Sequence, residues 1–143
     1  MGREILFKAK RTDTGEWVEG TPINTHIGVF MCFDKNPHYC SQYGYMEIDE
    51  IVKIIPETLC QYTGLTDKNS QKIWENDICI IHSSFIDEED GYFAVEWDDE
   101  GARFVLYGDG LTVDFDNYHG HECEVIGNVF DNPELLEGGG SDA

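Results

Sequence analysis

Residues 56–78 read PETLCQYTGLTDKNSQKIWENDI, and this pattern is typical of a strand, a tight turn and a return strand. The first strand ends at Gln61-Tyr62. The turn runs from Gly64 to Asn69, because glycine and short polar side chains favour turns. The return strand begins at Ile73-Trp74. The segment therefore predicts a β-hairpin near the middle of the chain.

Short apolar runs on both sides of this segment favour strands over helices. They are rich in β-branched and aromatic residues, and Gly, Asn, Asp or Pro bounds each of them. The runs are Ile5–Phe7, Ile27–Met31, Ile51–Ile55, Ile78–Ile81 and Phe93–Trp97. No stretch sustains the apolar periodicity of a long helix. We expect a mainly β fold with few or very short helices, such as turns at Glu47–Glu50 and Asn132–Leu136.

The segment 56–78 resembles the signature of the YopX family of phage and prophage proteins. Two flanking blocks agree with it, namely Arg3–Lys10 followed by Gly15–Gly20, and Glu124–Leu136. The family usually has Gly where this chain has Asn76, and Asn tolerates the left-handed backbone conformation nearly as well. The resemblance implies a phage-encoded protein with a small Src-homology-3-like β-barrel from about residue 70 onward. It implies no enzymatic activity.

The domain organisation that we expect has three parts. Residues 1–70 form an N-terminal β region, and residues 71–137 form the small β-barrel region, packed with it as one compact unit. The tail 138–143, GGGSDA, has nothing to bury and is expected to be disordered. The 143 residues, 41% of them hydrophobic, suffice for one ordinary core. No apolar run spans a bilayer and no signal peptide is evident, which predicts a protein of the host cytoplasm.

Charge is distributed unevenly along the chain. Residues 79–143 contain 17 acidic residues and one basic residue, Arg103, which gives −16 of the total formal charge of −20. A surface of this charge repels nucleic acid, anionic membranes and acidic substrates, and it attracts basic clefts. The commonest basic clefts in a cell belong to proteins that bind DNA or RNA. We therefore expect a host protein with a basic nucleic-acid-binding surface as the partner.

The candidate partner-binding residues lie around one predicted strand. They are two groups of carboxylates and two aromatic anchors: Asp87, Glu88, Glu89, Asp90, Tyr92, Trp97, Asp98, Asp99 and Glu100. Duplex DNA carries about one charge per 1.7 Å, which carboxylates on strands and turns can approximate over a limited face. The sequence thus suggests a nucleic-acid mimic that inhibits a host defence nuclease in the manner of an anti-CRISPR protein. The alternatives are a surface that only confers solubility, and a self-assembling structural or accessory phage protein that forms a homo-oligomer.

Metal binding and catalysis receive less support from the sequence. His119, His121 and Cys123 share one face of a strand, and Cys40 or Cys32 would complete a tetrahedral zinc site. No recognised ligand spacing supports zinc, so no cofactor is favoured. No catalytic motif is present, and the five cysteines form no CxxC pair, which predicts reduced thiols. Three tyrosines in a polar segment, Tyr39, Tyr43 and Tyr45, are expected to lie in an exposed loop and to serve as contact anchors.

Overall fold

A computed structural model describes residues 3–81, 91–108, 110–115 and 123–136. These residues form antiparallel sheets, which confirms the mainly β prediction. Their strands are β1 (Phe7–Lys10), β2 (Trp17–Thr25), β3 (Gly28–Cys32), β4 (His38–Cys40), β5 (Tyr45–Glu47), β6 (Ile51–Lys53), β7 (Cys60–Thr66), β8 (Lys72–Trp74), β9 (Asp77–Ile81), β10 (Gly91–Asp98), β11 (Arg103–Gly108), β12 (Leu111–Asp114) and β13 (Cys123–Asn128).

The chain divides into two units between Gln61 and Tyr62, and the C-terminal unit also includes Arg3. The sequence placed a boundary between residues 70 and 71. The strand β7 continues from one unit into the other, and the boundary expected between residues 70 and 71 stays a prediction. The compact packing of the two regions stays a prediction, and the tail 138–143 lies outside the described residues.

The N-terminal unit contains an antiparallel sheet with the strand order β6-β3-β2-β1-β7. In β1 the alternation of Phe7 and Ala9 with Lys8 and Lys10 sends the apolar pair to one face. Ala9 joins the buried core of this unit with Met31 and Ile54. On the other face the Nζ atoms of Lys8 and Lys10 lie 4.7 and 5.5 Å from the ring centre of Trp17.

The C-terminal unit contains a five-stranded antiparallel sheet with the order β12-β11-β10-β9-β13. β9 is buried at every position, because it lies between β10 and β13. The buried core cluster of this unit consists of Ile73, Cys79, Ile81, Val95, Leu106, Phe115 and Cys123. In this order β12 and β13 lie at opposite edges of the described sheet. Closure into the Src-homology-3-like barrel stays a prediction.

The hairpin predicted from residues 56–78 is confirmed, with a longer first strand than expected. β7 extends to Thr66, and its pairing with β8 is irregular between Tyr62 and Thr66, where Gly64 has a φ of 93°. The left-handed conformation expected of Asn76 is also confirmed, since its φ is 72°. The next residue, Asp77, is buried and accepts a 2.8 Å hydrogen bond from the Trp74 N–H, which fixes the turn between β8 and β9.

Helical structure in the described ranges is limited to short turns. A 3-10 helix covers Pro56–Thr58, and Glu134–Leu136 form a helical turn close to the predicted position. The turn predicted at Glu47–Glu50 is wrong, because Glu47 ends β5 and pairs with His38. Among residues 3–81, 91–108, 110–115 and 123–136, no helix has the length and apolarity that crossing a membrane requires.

Candidate interaction surface

The hairpin of β10 and β11 presents an aromatic pair at its turn end. Trp97 lies opposite Phe104 in the register of the two strands, and their rings meet edge to face with centres 5.0 Å apart. Phe104 packs against the core of the C-terminal unit, whereas 45% of Trp97 remains exposed. Such edge-to-face pairs are worth about 0.5–1.5 kcal/mol beyond their buried area. Trp97 is thus a large, oriented and solvent-accessible aromatic side chain.

An arginine joins three strands beside this pair. Arg103 lies opposite Asp98, with its Nε 3.7 Å from Oδ2 of Asp98, and its Nη2 lies 3.2 Å from Oδ1 of Asp114. A Cβ at Gly101 would lie 2.8 Å from both the Arg103 Nε and the Asp98 Oδ2, so glycine leaves room for this ion pair. Asp98 is therefore half-buried and partly neutralised rather than fully available to a partner.

The turn between the strands carries the accessible carboxylates. Asp99 and Glu100 are exposed, and the Glu100 N–H donates a 3.2 Å hydrogen bond to Oδ1 of Asp98. In the described part of the chain neither side chain has an ion pair. Ala102 closes the turn with a φ of 53°. We call Trp97, Asp99 and Glu100 the hairpin tip.

The structure separates some of the residues that the sequence grouped together. Tyr92 is half-buried, pairs with Ile80, and lies near the opposite end of β10 from Trp97. Since five positions separate the two aromatics in one strand, they also point to opposite faces of the sheet. Tyr92 and Trp97 therefore do not form one anchor. The carboxylates Asp87, Glu88, Glu89 and Asp90 lie outside the described residues.

Two further polar residues, Glu96 and Asp114, follow from the alternation of side chains along β10 and from the register of the strands, and the sequence did not predict them. Glu96 is exposed and shares a face with Asp98, which the two-residue spacing indicates. Asp114 approaches only because β11 and β12 pair Val105 with Asp114 and place it beside Arg103. No local sequence signal predicts that contact, because it depends on the register of two hairpins.

The proposed zinc ligands are only partly described. Cys40 is half-buried in β4 of the N-terminal unit, and Cys123 is buried in β13 of the C-terminal unit, while His119 and His121 lie outside the described residues. Within the described ranges, no group of three His, Cys, Asp or Glu side chains is arranged to hold a metal ion. The zinc hypothesis stays untested. None of the five cysteines forms a disulfide.

Comparison with known proteins places the chain in a family. The profile of a family described as YopX protein matches residues 6–137. The chain belongs to the YopX family. The match covers nearly all of the sequence and therefore extends over both units of the fold. It confirms the resemblance seen in the segment 56–78.

A solved structure has the same fold as this YopX protein. It is the crystal structure of protein EF1440 from Enterococcus faecalis, with a TM-score of 0.67, 24% sequence identity, and coverage of 94% of this chain and 99% of that chain. At this identity the likeness shows the fold alone. Among curated proteins, none matches the chain.

Proposed function

We propose that this YopX protein is a phage-encoded acidic protein that binds a basic nucleic-acid-binding surface on a host enzyme and blocks it. A defence nuclease is the expected class of target, which would make the protein anti-CRISPR-like. The observation that supports this proposal is the hairpin tip, where the exposed indole of Trp97 adjoins the exposed carboxylates of Asp99 and Glu100. The protein acts by binding and not as an enzyme.

The charge distribution supports fast encounter with a basic partner. Residues 79–143 contribute −16 to the formal charge, from 17 acidic residues and one basic residue. Long-range attraction of this kind raises association rates at low salt. It fades as added salt shortens the Debye length, which is about 10 Å at 0.1 M ionic strength. It gives rate and selectivity more than tight binding, which requires a buried anchor.

Trp97 supplies that anchor in the proposed complex. Tryptophan is enriched among the few interface residues that dominate binding energy, and truncating such a residue typically costs about 2 kcal/mol or more. Phe104 holds one edge of the indole, so less side-chain freedom is lost when a partner covers the remaining surface. The exposed carboxylates beside it then pair with lysine and arginine side chains of the partner.

The first test is affinity capture from lysate of a bacterial host at low and high salt, followed by mass spectrometry. The expected result is recovery of a nuclease or another nucleic-acid enzyme that elutes as salt rises, and purified target should lose nuclease activity when the protein is added. Recovery of no protein other than the chain itself would overturn the proposal and favour the self-assembling accessory protein.

Charge-reversal variants locate the contact on the captured target. Asp99→Lys combined with Glu100→Lys should weaken binding at least tenfold, and Trp97→Ala should do the same with little change in salt dependence. The matched control is Glu16→Lys combined with Glu57→Lys, which makes the same change in net charge at exposed positions of the N-terminal unit. Equal losses in the double variant and the control would show that only net charge matters and that the hairpin tip is not the site.

A further inference from the structure

The N-terminal unit carries a small hairpin that forms a sheet of its own. β4 and β5 pair only with each other among the described strands, in a register that places Tyr39 opposite Met46 and Cys40 opposite Tyr45. The exposed fractions are 61% for Tyr39, 72% for Tyr43, 49% for Tyr45 and 51% for Met46. We call residues 38–47 the tyrosine arm.

Local hydrogen bonds give the tyrosine arm a defined shape despite its exposure. At its base, the carboxylate of Asp34 accepts N–H groups from Asn36 and Asp49, each at 2.9 Å. At its tip, the Gly44 N–H donates to the Cys40 carbonyl at 2.8 Å, and Gly44 has a φ of 72°, which favours glycine. The arm is therefore anchored at its base and closed at its tip by a specific turn.

Aromatic side chains are held in order along the arm. The rings of Tyr43 and Tyr45 stack with centres 6.4 Å apart and planes inclined by 25°. Tyrosine, serine and glycine are enriched in the binding loops of antibodies. The rigid amphipathic ring of tyrosine contributes a large contact area at a low cost in conformational entropy. The segment from Tyr39 to Tyr45 has this composition, YCSQYGY.

Apart from Glu47 at its end, the tyrosine arm carries no acidic or basic side chain of the Asp, Glu, Lys or Arg type, in a very acidic chain. No Asp, Glu, Lys or Arg occurs from Asn36 to Met46, although the whole chain carries −20. Two copies of the chain repel each other through their net charge, so a contact between copies is favoured where carboxylates are few. A basic partner, by contrast, gains nothing from a neutral arm. We propose that the tyrosine arm is the contact through which two copies of this chain form a symmetric dimer.

The available area fits a weak dimer. The exposed fractions of the four large side chains, applied to about 200 Å² each, give on the order of 450 Å² per copy. Two copies would bury about 900 Å² from these side chains alone, close to the roughly 1,000 Å² that marks a specific but weak interface. A two-stranded hairpin is only marginally stable in water, and pairing with a second arm would cover its aromatic faces. We expect dissociation in the micromolar range.

Sedimentation velocity on the full chain, from about 1 μM to about 500 μM, tests the dimer directly. The expected result is a concentration-dependent dimer that becomes stronger as salt rises, because salt screens the repulsion between two chains of charge −20. Binding to a basic host partner weakens as salt rises, so the two proposals fail independently. A chain that stays monomeric over the whole range overturns the dimer.

Substitutions then assign the contact to the arm. The triple variant Tyr39→Ser, Tyr43→Ser, Tyr45→Ser should dissociate at least tenfold more readily. Leu111→Ser is the matched control, since Leu111 is 61% exposed, as Tyr39 is, but belongs to β12 of the C-terminal unit. Dimerisation that survives in the triple variant, or that Leu111→Ser weakens equally, overturns the proposal.

A cross-linking variant provides a readout that does not depend on the triple variant folding. Gln42→Cys places a thiol at the exposed tip of the arm, and Thr112→Cys places one at an exposed position of β12. A short bis-maleimide should join two copies through the arm thiol in dilute protein and should not do so through the β12 thiol beyond the level of the unmodified chain. Equal cross-linking of the two variants refutes an arm-mediated dimer.

Discussion

Asp67 provides the sharpest test of how the C-terminal unit is held together. This carboxylate is 4% exposed, and its Oδ1 accepts N–H groups from Asn69 at 2.8 Å and Gln71 at 2.9 Å. Its Oδ2 accepts the N–H of Val125 at 2.9 Å, which links the turn after β7 to β13. The informative perturbation is Asp67→Asn, because the amide keeps one acceptor oxygen and replaces the other with a donor.

The magnitude follows from these three hydrogen bonds. A hydrogen bond to a charged group contributes about 1.5–3 kcal/mol, and an unsatisfied buried donor costs about 1–3 kcal/mol. If the amide oxygen of the substituted side chain keeps the two turn N–H groups, the Val125 N–H faces an NH₂ group. We therefore expect Asp67→Asn to lower the free energy of unfolding by about 2–3 kcal/mol. Asp67→Ala, which removes all three acceptor contacts, should lower it by about 3–5 kcal/mol.

Protonation of the same carboxyl makes this effect depend on pH. Burial by itself raises the pKa of Asp67, but the N–H groups of Val125, Gln71 and Asn69 lower it more, so the folded pKa lies below the ordinary value. The folded state then binds this proton less tightly than the unfolded state. The stabilisation is complete above the unfolded pKa of about 3.9 and is lost as pH falls through the lower folded pKa.

Urea unfolding followed by tryptophan fluorescence measures the effect, since Trp74 is buried in the same unit. The free energy of unfolding should be measured at neutral pH and at a pH well below the pI of about 4.2, because a protein is least soluble near its pI. The control is Asp99→Asn, an exposed site of the same unit, which should change the free energy by less than about 0.5 kcal/mol. A difference between wild type and Asp67→Asn that is under about 0.5 kcal/mol at neutral pH, or equally large in acid, would refute the reasoning.

Two further predictions concern the backbone and the thiols. Ala102→Gly should raise the free energy of unfolding by about 0.5–1 kcal/mol in the same urea experiment, because Ala102 has a φ of 53°, and unchanged or lower stability would contradict this. Burial raises the pKa of the Cys79 thiol, with the neighbouring thiol of Cys123 raising it further. Alkylation of the native protein at mildly alkaline pH, read by peptide mass spectrometry, should therefore modify Cys32 and Cys40 well before the buried Cys60, Cys79 and Cys123, and early modification of Cys79 would argue against its burial.

Strands that appear in the sequence as short runs rich in apolar residues were predicted correctly. Ile27–Met31 corresponds to β3, and Phe93–Trp97 lies within β10. The apolar run Ile5–Phe7 misplaced β1, which begins at Phe7 and alternates with lysines. A search for apolar runs overlooks such a strand, because lysines alternate with its apolar residues and their Nζ atoms lie over the Trp17 ring.

The polar segment around Tyr39 and Tyr45 was the least predictable part of the fold. We expected exposed tyrosines there, which is confirmed, but we expected a loop and not the paired strands β4 and β5. Strand signals depend on burial of one face, and this hairpin buries neither. At the hairpin tip, residue type and turn position predicted the exposed carboxylates, while the ion pairs of Arg103 required the register of three strands.

The strand order β12-β11-β10-β9-β13 has a consequence for how the chain reaches its folded state. The strand β9 pairs on one side with β10, the next described strand in sequence, and on the other with β13, the last of the described strands in chain order. Sheets that depend on such distant pairing fold more slowly, because a long loop must close before the contacts form. Until Cys123–Asn128 have been synthesised, residues Ile78 to Ile81 of β9 have no strand to pair with on one side. The nascent protein therefore exposes one edge of the apolar strand β9 until β13 can pair with it, and an unpaired apolar edge favours aggregation.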